Sequence, residues 1–447
     1  LMFKKVLIAN RGEIAVRINR ACQELGISTV AVHSEADKDS MHVRIANESV
    51  CIGPDQVNKS YLNTHALIAA CEITNAEAVH PGYGFLSENA GFAKMVSDHG
   101  LTFIGPKSDH IEKMGNKIQA KKIMQKLGVP IVPGSEGKIK NLKDASNISK
   151  EIGYPILLKA AAGGGGRGMK VINNEKELNE SFVIVKQEAL SFFGNDEVYI
   201  EKFIDAPRHI EVQVIGDLHG NFVHLHERDC SIQRRNQKVI EEALAPGISP
   251  DEKSRLFETV VNAIKQMGYL GLGTLEFLYH EGNFYFMEMN TRLQVEHPIT
   301  EMITRIDLVR EQISVASGEK LSFDQSRINP LGHSIECRIN AEDPSTFRPS
   351  AGTISLYHPP AGNGIRLDTF IYSGYKVPHY YDNLLAKLIV TGRDRDHAIR
   401  RALRSLDEII IEGITTNIEL HKKILSSDEF KKGSVSIKWL EQNIQLI

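Results

Sequence analysis

Cysteine is sparse and scattered. Five residues, Cys22, Cys51, Cys71, Cys230 and Cys337, occur among 447 with no Cys-x-x-Cys pair, which argues against a zinc site and a disulfide framework. The segment His224-Leu-His226-Glu227 misses the His-Glu-x-x-His metal motif. An excess of one charge is also missing. The formal net charge of -3 provides no bulk basic balance to attract nucleic acid. Apolar runs are far too short to span a bilayer, and Phe3-Lys-Lys-Val-Leu-Ile-Ala reads as a strand rather than a signal peptide. A cytoplasmic protein with no membrane or nucleic-acid partner is the expectation. No Gly-Lys-Ser/Thr follows a glycine run at Walker spacing, so a P-loop is excluded. The turn Asn10-Arg11-Gly12-Glu13 carries one glycine where a dinucleotide fold shows Gly-x-Gly-x-x-Gly, which disfavours NAD. There is no internal repeat and no low-complexity tail.

What is present is a chain of ordinary globular composition, 42% apolar and 24% charged, long enough for two to four domains. Residues 1–105 alternate strands and helices. Strands are predicted over 5–9, 28–33, 76–80 and 101–104, and Ile14, Ile18, Ala21, Cys22 and Leu25 recur at helical spacing before Gly26. This is the pattern of a doubly wound, Rossmann-like parallel sheet. Asn116 caps a helix over 117–127, ended by Gly128 and Pro130, within a linker at 106–130. A small unit follows at 131–203. From 204 to 330 and from 331 to 447 strands dominate, with helices such as 251–267 and 396–409.

Polar residues fall at every other position in Glu288-Met-Asn290-Thr-Arg292-Leu-Gln294-Val-Glu296. Side chains alternate faces along an extended chain, so these five can share one side. Glu281-Gly282-Asn283 is a turn signal. A hairpin centred on Gly282 pairs Glu276 with Glu288, with Leu275, Phe277, Tyr285 and Met287 as the expected buried side. Two facing carboxylates repel unless a cation lies between them, and Mg²⁺ shared with substrate phosphates meets that need; the alternative is a polar sheet face in solvent.

Other constellations admit two readings each. A strand ends on Lys159 and leads into Gly163-Gly-Gly-Gly166-Arg-Gly168. Four glycines suit backbone N–H groups approaching phosphate, or a lid; a plain flexible loop is the alternative. Lys159, helped by Lys117, would act as a point charge on phosphate. Glu201-Lys202-Phe203-Ile204 closes a strand-like run whose carboxylate and backbone could read adenine, or it is a surface ion pair. His209-Ile-Glu211-Val-Gln213 alternates as a half-buried strand does. Glu227 to Lys238, including Gln233 and Asn236, reads as a charged loop, either solvated or binding anions and ribose. Ser334, Glu336, Arg338 and Asn340 form the polar face of a strand that could carry Arg338 into a site.

Taken together, Ile8-Ala-Asn-Arg-Gly-Glu-Ile-Ala, His80-Pro-Gly-Tyr-Gly-Phe-Leu-Ser-Glu-Asn, Gly163-Gly-Gly-Gly-Arg-Gly-Met, Glu227-Arg-Asp-Cys-Ser-Ile-Gln-Arg-Arg and Glu288-Met-Asn-Thr-Arg-Leu-Gln-Val-Glu-His-Pro resemble the biotin carboxylase family of ATP-grasp enzymes. The likeness runs from Lys5 to about Glu441 and is strongest to the stand-alone subunit of bacterial acetyl-CoA carboxylase. It implies a multidomain α/β and α+β fold: a Rossmann-like pre-ATP-grasp domain (1–105), a linker (106–130), an ATP-grasp lid that is mobile and glycine-rich (131–203), an ATP-grasp body (204–330) and a biotin carboxylase C-terminal domain (331–447).

The resemblance further implies that ATP contacts Lys117, Lys159, Gly164, Gly165, Gly166, Glu201, Lys202, Ile204, His209, Gln233, Asn236, Glu276, Leu278, Glu288 and Ile437. Glu276, Glu288 and Asn290 would hold Mg²⁺ or Mn²⁺. Glu296 would be the base for bicarbonate, which Arg292, Gln294 and Val295 hold with Lys238 beside it. Arg338 would stabilise the biotin enolate and Tyr83 would border biotin. A homodimer through Arg20, Glu24 and Arg366 is implied. So is a separate biotin carboxyl carrier protein, since the carrier's Ala/Val-Met-Lys-Met turn is missing here, and so are separate carboxyltransferase subunits. Leu244, Arg305, Ala351 and Asn236 depart from the family's usual residues. The competing readings are a propionyl-CoA or pyruvate carboxylase component, another ATP-grasp ligase, a nucleotide-binding sensor and, last, a Rossmann oxidoreductase. Arg292, Gln294, Glu296 and Arg338 together favour bicarbonate and biotin.

Overall fold

The computed structural model describes residues 2–161 and 168–444. Near the N-terminus, β1 (Lys5–Ile8), β2 (Ser28–Ser34), β3 (Glu48–Gly53), β4 (Ala78–His80) and β5 (Thr102–Phe103) form a parallel sheet in the order β3-β2-β1-β4-β5. Short apolar runs buried on both faces suit such a sheet. The helix Gly12–Glu24 buries Ile14, Ile18, Ala21 and Cys22 against it. The strand order reverses between β1 and β4, and ligand crevices in open parallel sheets lie at that reversal. There the Asn10 amide donates to the carbonyls of Pro81 (2.8 Å) and Tyr83 (2.7 Å), joining the turn after β1 to the turn after β4.

The helix Lys117–Lys126 begins as expected, the Asn116 side chain accepting from the backbone N–H of Gln119. A small antiparallel sheet follows, formed by β6 (Ile156–Ala160), β7 (Met169–Ile172) and β8 (Val198–Lys202) in the order β7-β6-β8. It has its own core, in which Ile156, Leu158, Ile172, Val198 and Ile200 pack with Leu178 and Phe182. The opposite face of β6 and β8 carries Leu157, Lys159, Tyr199 and Glu201, with Lys159 opposite Tyr199 and Leu157 opposite Glu201.

Eight strands form the main sheet: β9 (Arg208–Gly216), β10 (Phe222–Arg234), β11 (Gln237–Ala243), β12 (Gly271–His280), β13 (Asn283–Asn290) and β14 (His333–Asn340), then two from further along the chain. Past β14 come β15 (Gly352–Thr353), β16 (Leu356–His358), β17 (Ile365–Thr369), β18 (Lys376–Val377), β19 (Leu384–Gly392) and β20 (Ile410–Glu412). The sheet order is β13-β12-β9-β10-β11-β14-β19-β17, antiparallel throughout. It therefore crosses residue 330 without a break.

Two expectations need correction here. The run from Glu227 to Lys238 is not a loop: it is the end of β10 and the start of β11, turned by Arg235 (φ 49°) and Asn236 (φ 61°). Asparagine tolerates that left-handed backbone better than most residues. Second, β9 is buried at every position from Arg208 to Gly216 rather than on one side, because neighbours cover both faces. Arg305 ends the helix His297–Thr304 in left-handed backbone (φ 60°), where glycine is usual. Leu244 packs beside Ala243, Ile299 and Ile389. Among the described residues no helix is long and apolar enough to cross a membrane.

Candidate active site

The hairpin of β12 and β13 turns at Glu281-Gly282, both with positive φ, and places Glu276 directly opposite Glu288. The register slips by one residue immediately afterwards, so Phe277 faces Phe286. Phe277 and Phe286 are buried, as are Leu275 and Met289, whereas Tyr285 and Met287 are only half-buried. The expected buried side thus holds for the first strand and shifts on the second, as a bulge requires. Across the sheet the same row continues from Glu276 to Glu211 on β9 and on to Arg228 on β10.

In this row Glu211 and Arg228 are fully buried, while Glu276 and Glu288 lie on the floor of a cavity of about 910 Å³. Its roof is the Lys159 face of the small sheet, one wall is the reversal point of the parallel sheet, and β14 and Ile437 close the rest. Every described residue nominated above as a ligand-contacting or catalytic group lines it: Tyr83, Lys117, Lys159, Glu201, Lys202, Ile204, His209, Gln233, Asn236, Lys238, Glu276, Leu278, Glu288, Asn290, Arg292, Gln294, Val295, Glu296, Arg338 and Ile437. Gly164, Gly165 and Gly166 lie outside the described residues.

At the sheet end, the Lys238 ammonium donates to Glu211 (2.7 Å), Glu276 (3.0 Å) and Glu296 (2.6 Å). Arg338 donates to the other oxygen of Glu296 at 3.1 Å. Burial works against the Glu296 charge, but Lys238 first and Arg338 among others outweigh it and hold its carboxyl below the usual range. Burial likewise opposes the Glu276 charge, yet Lys238 and His209 bring it down to about 2. Gln294 donates to Glu276 at 3.0 Å, and the carbonyl of Val295 accepts from Lys387 at 2.8 Å. Arg292 donates to Glu88 (3.0 Å) and to Asn290 (3.1 Å).

At the lid end, Lys159 donates to Glu201 at 2.8 Å and Lys121 contacts the same carboxylate. Burial and the neighbouring Lys117 push Lys159 down to about 8; burial, Lys159 and Lys117 push Lys121 down to about 7. Lys202 donates to the carbonyls of Gly153 (2.9 Å) and Tyr154 (3.2 Å). Lys117 lies 3.5 Å from Glu288, whose carboxyl is raised by burial and by Glu276.

These shifts test the fit of a metal–nucleotide. Lys159 and Lys121 share one carboxylate, Glu201, and are depressed even so, which leaves room for a further anion; Glu288 is raised although Lys117 lies 3.5 Å away, which leaves room for a cation. Magnesium phosphate supplies both, and Glu276, Glu288 and Asn290 offer the oxygens a hard cation takes. Donor atoms of His209, Glu211 and Glu276 also lie within 4.8 Å of one another. Glu211, however, is already shared by Arg228 and Lys238, so that group has less charge left for an ion.

Four functional neighbours escaped the sequence reading: Glu211, Lys121, Glu88 and Glu13, which accepts from the Tyr83 hydroxyl. Glu211 alternates with His209, Lys121 follows Lys117 at helical spacing, and Glu88 sits in the His80–Asn89 motif, so each had a local signal.

A lysine-bearing lid sheet set over a carboxylate-bearing antiparallel sheet defines an ATP-grasp ligase. Three family models match in order: Biotin carboxylase, N-terminal domain, over 2–111; Carbamoyl-phosphate synthase L chain, ATP binding domain, over 116–323; and Biotin carboxylase C-terminal domain over 336–442. A biotin carboxylase of Haemophilus influenzae is 56% identical over 444 residues, covering 99% of both chains. A pyruvate carboxylase subunit from Methanothermobacter thermautotrophicus is 49% identical, covering 99% of this chain and 90% of that one. The biotin carboxylase domain dimer of Hydrogenobacter thermophilus 2-oxoglutarate carboxylase, solved with MgADP, ADP and bicarbonate, superposes with a TM-score of 0.94 at 48% identity, covering 100% of this chain and 99% of that one. The chain belongs to the biotin carboxylase family, whose members are ATP-dependent ligases.

Proposed function

We propose that the chain carboxylates biotin with bicarbonate at the expense of ATP, and that the cavity residues divide the work as follows. Lys117, Lys159, Glu201, Lys202, Ile204, His209, Gln233, Asn236, Leu278 and Ile437 hold ATP, with the lid glycines over its phosphates. Glu276, Glu288 and Asn290 hold Mg²⁺ (or Mn²⁺), which neutralises phosphate charge when bound. Arg292, Gln294 and the backbone of Val295 hold bicarbonate beside Lys238, the planar guanidinium matching a planar oxygen pair. Glu296 takes the bicarbonate proton as a bicarbonate oxygen bonds to the γ-phosphorus and ADP leaves. The carboxyphosphate formed separates into CO₂ and phosphate. The phosphate takes the proton from the biotin ureido nitrogen, whose carbon–nitrogen bond to CO₂ then forms. Arg338 faces the developing charge on the ureido oxygen, and Tyr83 borders the ring.

The observation that carries this reading is the Glu296 carboxylate, buried and ionised between Lys238 and Arg338 on the cavity floor. The test is ADP release with Mg²⁺ and bicarbonate, with and without free biotin. Bicarbonate-dependent, biotin-stimulated release is expected, and Glu296→Ala is expected to abolish it. ATP hydrolysis indifferent to both would move the assignment to another ATP-grasp ligase.

The finer role we infer is the first half-reaction of acetyl-CoA carboxylase in fatty acid synthesis, in the cytoplasm. The partners are a biotin carboxyl carrier protein and carboxyltransferase subunits. The likeness to a pyruvate carboxylase component supports the second candidate, a keto-acid or propionyl-CoA system; pull-down of the endogenous carrier separates them. A homodimer through Arg20, Glu24 and Arg366 completes the proposal, with domains at 1–105, 131–203, 204–330 and 331–447 around a linker at 106–130. Sedimentation showing only monomer at micromolar concentration overturns the dimer.

A further inference from the structure

Behind Glu296 the main sheet holds a second pair of facing acids. Glu241 on β11 lies directly opposite Glu336 on β14, and both are 0% exposed. Opposed residues of antiparallel strands project to the same face with Cβ atoms about 5 Å apart. Arg338, two residues on from Glu336, shares that face. Its Nε donates to Glu241 at 2.5 Å while its Nη2 donates to Glu296 at 3.1 Å. Both oxygens of Glu336 and the second oxygen of Glu241 have no hydrogen-bond partner among the described residues.

The charges facing this pair do not suffice to ionise it twice. Arg338 is divided between Glu241 and Glu296. Lys238, from β11, is committed to Glu211, Glu276 and Glu296. Lys387, from β19, donates to the carbonyl of Val295 and pairs with Glu13 (3.2 Å) and more distantly with Asp368 (3.9 Å). His297, from the helix above, is held neutral by burial and by Lys387. Two buried carboxylates at this separation with a fraction of one cation between them share a proton rather than both ionise.

We propose that Glu241 and Glu336 are a one-proton carboxyl pair in which Glu336 keeps the proton and the charged Glu241 acts as the positioning residue of Arg338. Glu241 anchors the Nε edge of the guanidinium. Nη2 also lies 2.5 Å from the same Glu241 oxygen and bridges from it to Glu296 at 3.1 Å. The proton on Glu336 limits the negative charge behind Arg338 to one unit, so the guanidinium keeps its net positive charge for the reacting oxygen. Burial is the leading cause that raises Glu336 well above the ordinary range, the direction this arrangement requires; it raises Glu241 too, but with Arg338 opposing it only to about 7, so Glu336 is the acid of the pair that holds the proton.

The inference rests on the role given above to Arg338, and the experiment separates the two. Infrared spectra of the whole chain are recorded for wild type and Glu336→Gln across neutral and alkaline pH. A protonated-carboxyl carbonyl band is expected in wild type at neutral pH, titrating away at alkaline pH and missing from Glu336→Gln. That band reads the pair regardless of activity. In parallel, Glu241→Gln is expected to lower biotin-stimulated turnover by about 10- to 100-fold, typical of removing a group that orients a contacting residue. Its acid limb moves to lower pH, because one negative charge near Glu296 is gone. Glu336→Gln costs distinctly less than Glu241→Gln. A wild-type spectrum without the band, a band that survives in Glu336→Gln, or equal losses in the two folded variants overturns the pair. Biotin-stimulated turnover that survives in Arg338→Gln overturns the role of Arg338, and with it the positioning role of Glu241, while leaving the proton on the pair to the infrared result.

Discussion

At the lid end of the cavity Lys117, Lys121 and Lys159 crowd one another, with Lys121 and Lys159 driven well below the ordinary lysine range. At the sheet end Glu211, Glu276 and Glu296 converge on one lysine and are held in their charged forms. The first arrangement sets Glu201 and Glu288 against three lysines until a further anion arrives. The second is complete before any ligand binds. On the roles proposed above, binding and chemistry are thereby separated in space: the end proposed to meet the polyphosphate is short of anions, and the end proposed to abstract a proton is assembled in advance, the arrangement that favours low reorganisation during reaction.

The comparison breaks most severely at its shared lysine. Lys238→Gln leaves three buried carboxylates without their ammonium, a change in the class that costs about 3–5 kcal/mol in stability. With Lys238 gone, burial raises the Glu296 carboxyl, so the base stays protonated to higher pH. The acid limb of bicarbonate-dependent turnover is expected to move upward, and turnover at neutral pH to fall by about 1000-fold. A pH–rate profile checks the direction, and urea unfolding the magnitude.

Glu288→Gln acts on the boundary between the two ends. It removes the carboxylate raised by burial and by Glu276, and the Mg²⁺ concentration giving half-maximal ADP release is expected to rise about 10- to 100-fold, with the pH profile of Glu296 little changed. A displaced profile instead would show that Glu288 belongs with the preassembled end.

The lid end is sharpened by counting protons. Lys121 at about 7 and Lys159 at about 8 bind fewer protons folded than unfolded between pH 7 and 10.5, so the ligand-free protein gains stability as pH rises through that window. Glu276, at about 2 against an ordinary 4.5, gives a slope of the same sign in an acidic window, here as a stabilising group: its contribution is complete above about pH 4.5 and is lost as pH falls toward 2. Polyphosphate restores charge to the lysines. Nucleotide binding at pH 8 is therefore expected to take up protons, measured by calorimetry in buffers of differing ionisation enthalpy, and Lys121→Met is expected to reduce that uptake. The smallest effect lies outside both ends. Arg305→Gly relieves left-handed backbone and is expected to raise stability by about 1 kcal/mol without touching turnover.

The carboxylate pair of Glu276 and Glu288 was legible because it depends on local signals: a two-residue turn and strict alternation on each side of it. Lys159 was legible as the end of a strand before a glycine run. Arg292, Gln294 and Glu296 line the cavity, but not through strand alternation: β13 ends at Asn290 and the chain turns at residues 295–296 into the helix His297–Thr304. The shifted inner face of β13 was not legible, since a one-residue slip leaves the apolar–polar pattern of Tyr285 and Met287 unaltered. Arg228 was misjudged more deeply. Its neighbours in sequence are polar, so the segment resembles a solvated loop. Its five acceptors, however, are Glu211, Gln213, Thr274, Gln294 and Thr300, supplied by other strands, by the segment between β13 and the next helix, and by the helix His297–Thr304 itself. A buried charge satisfied only by distant residues leaves no mark in its own segment. Glu241 and Glu336 were hidden likewise, their facing being a property of strand register between segments almost a hundred residues apart.

The cavity draws its walls from both extremes of the sequence, from Asn10 and Tyr83 on one side to Ile437 and Lys438 on the other. Ile437 is tied back by its N–H to the carbonyl of Pro207, at the entry to the main sheet. During synthesis on the ribosome, then, the parallel sheet and the small sheet can form while the segment carrying Ile437 is still unmade, and the cavity lacks that wall until residue 437 has been added. A chain cut before Ile437 thus lacks one wall of the cavity, however complete its sheets.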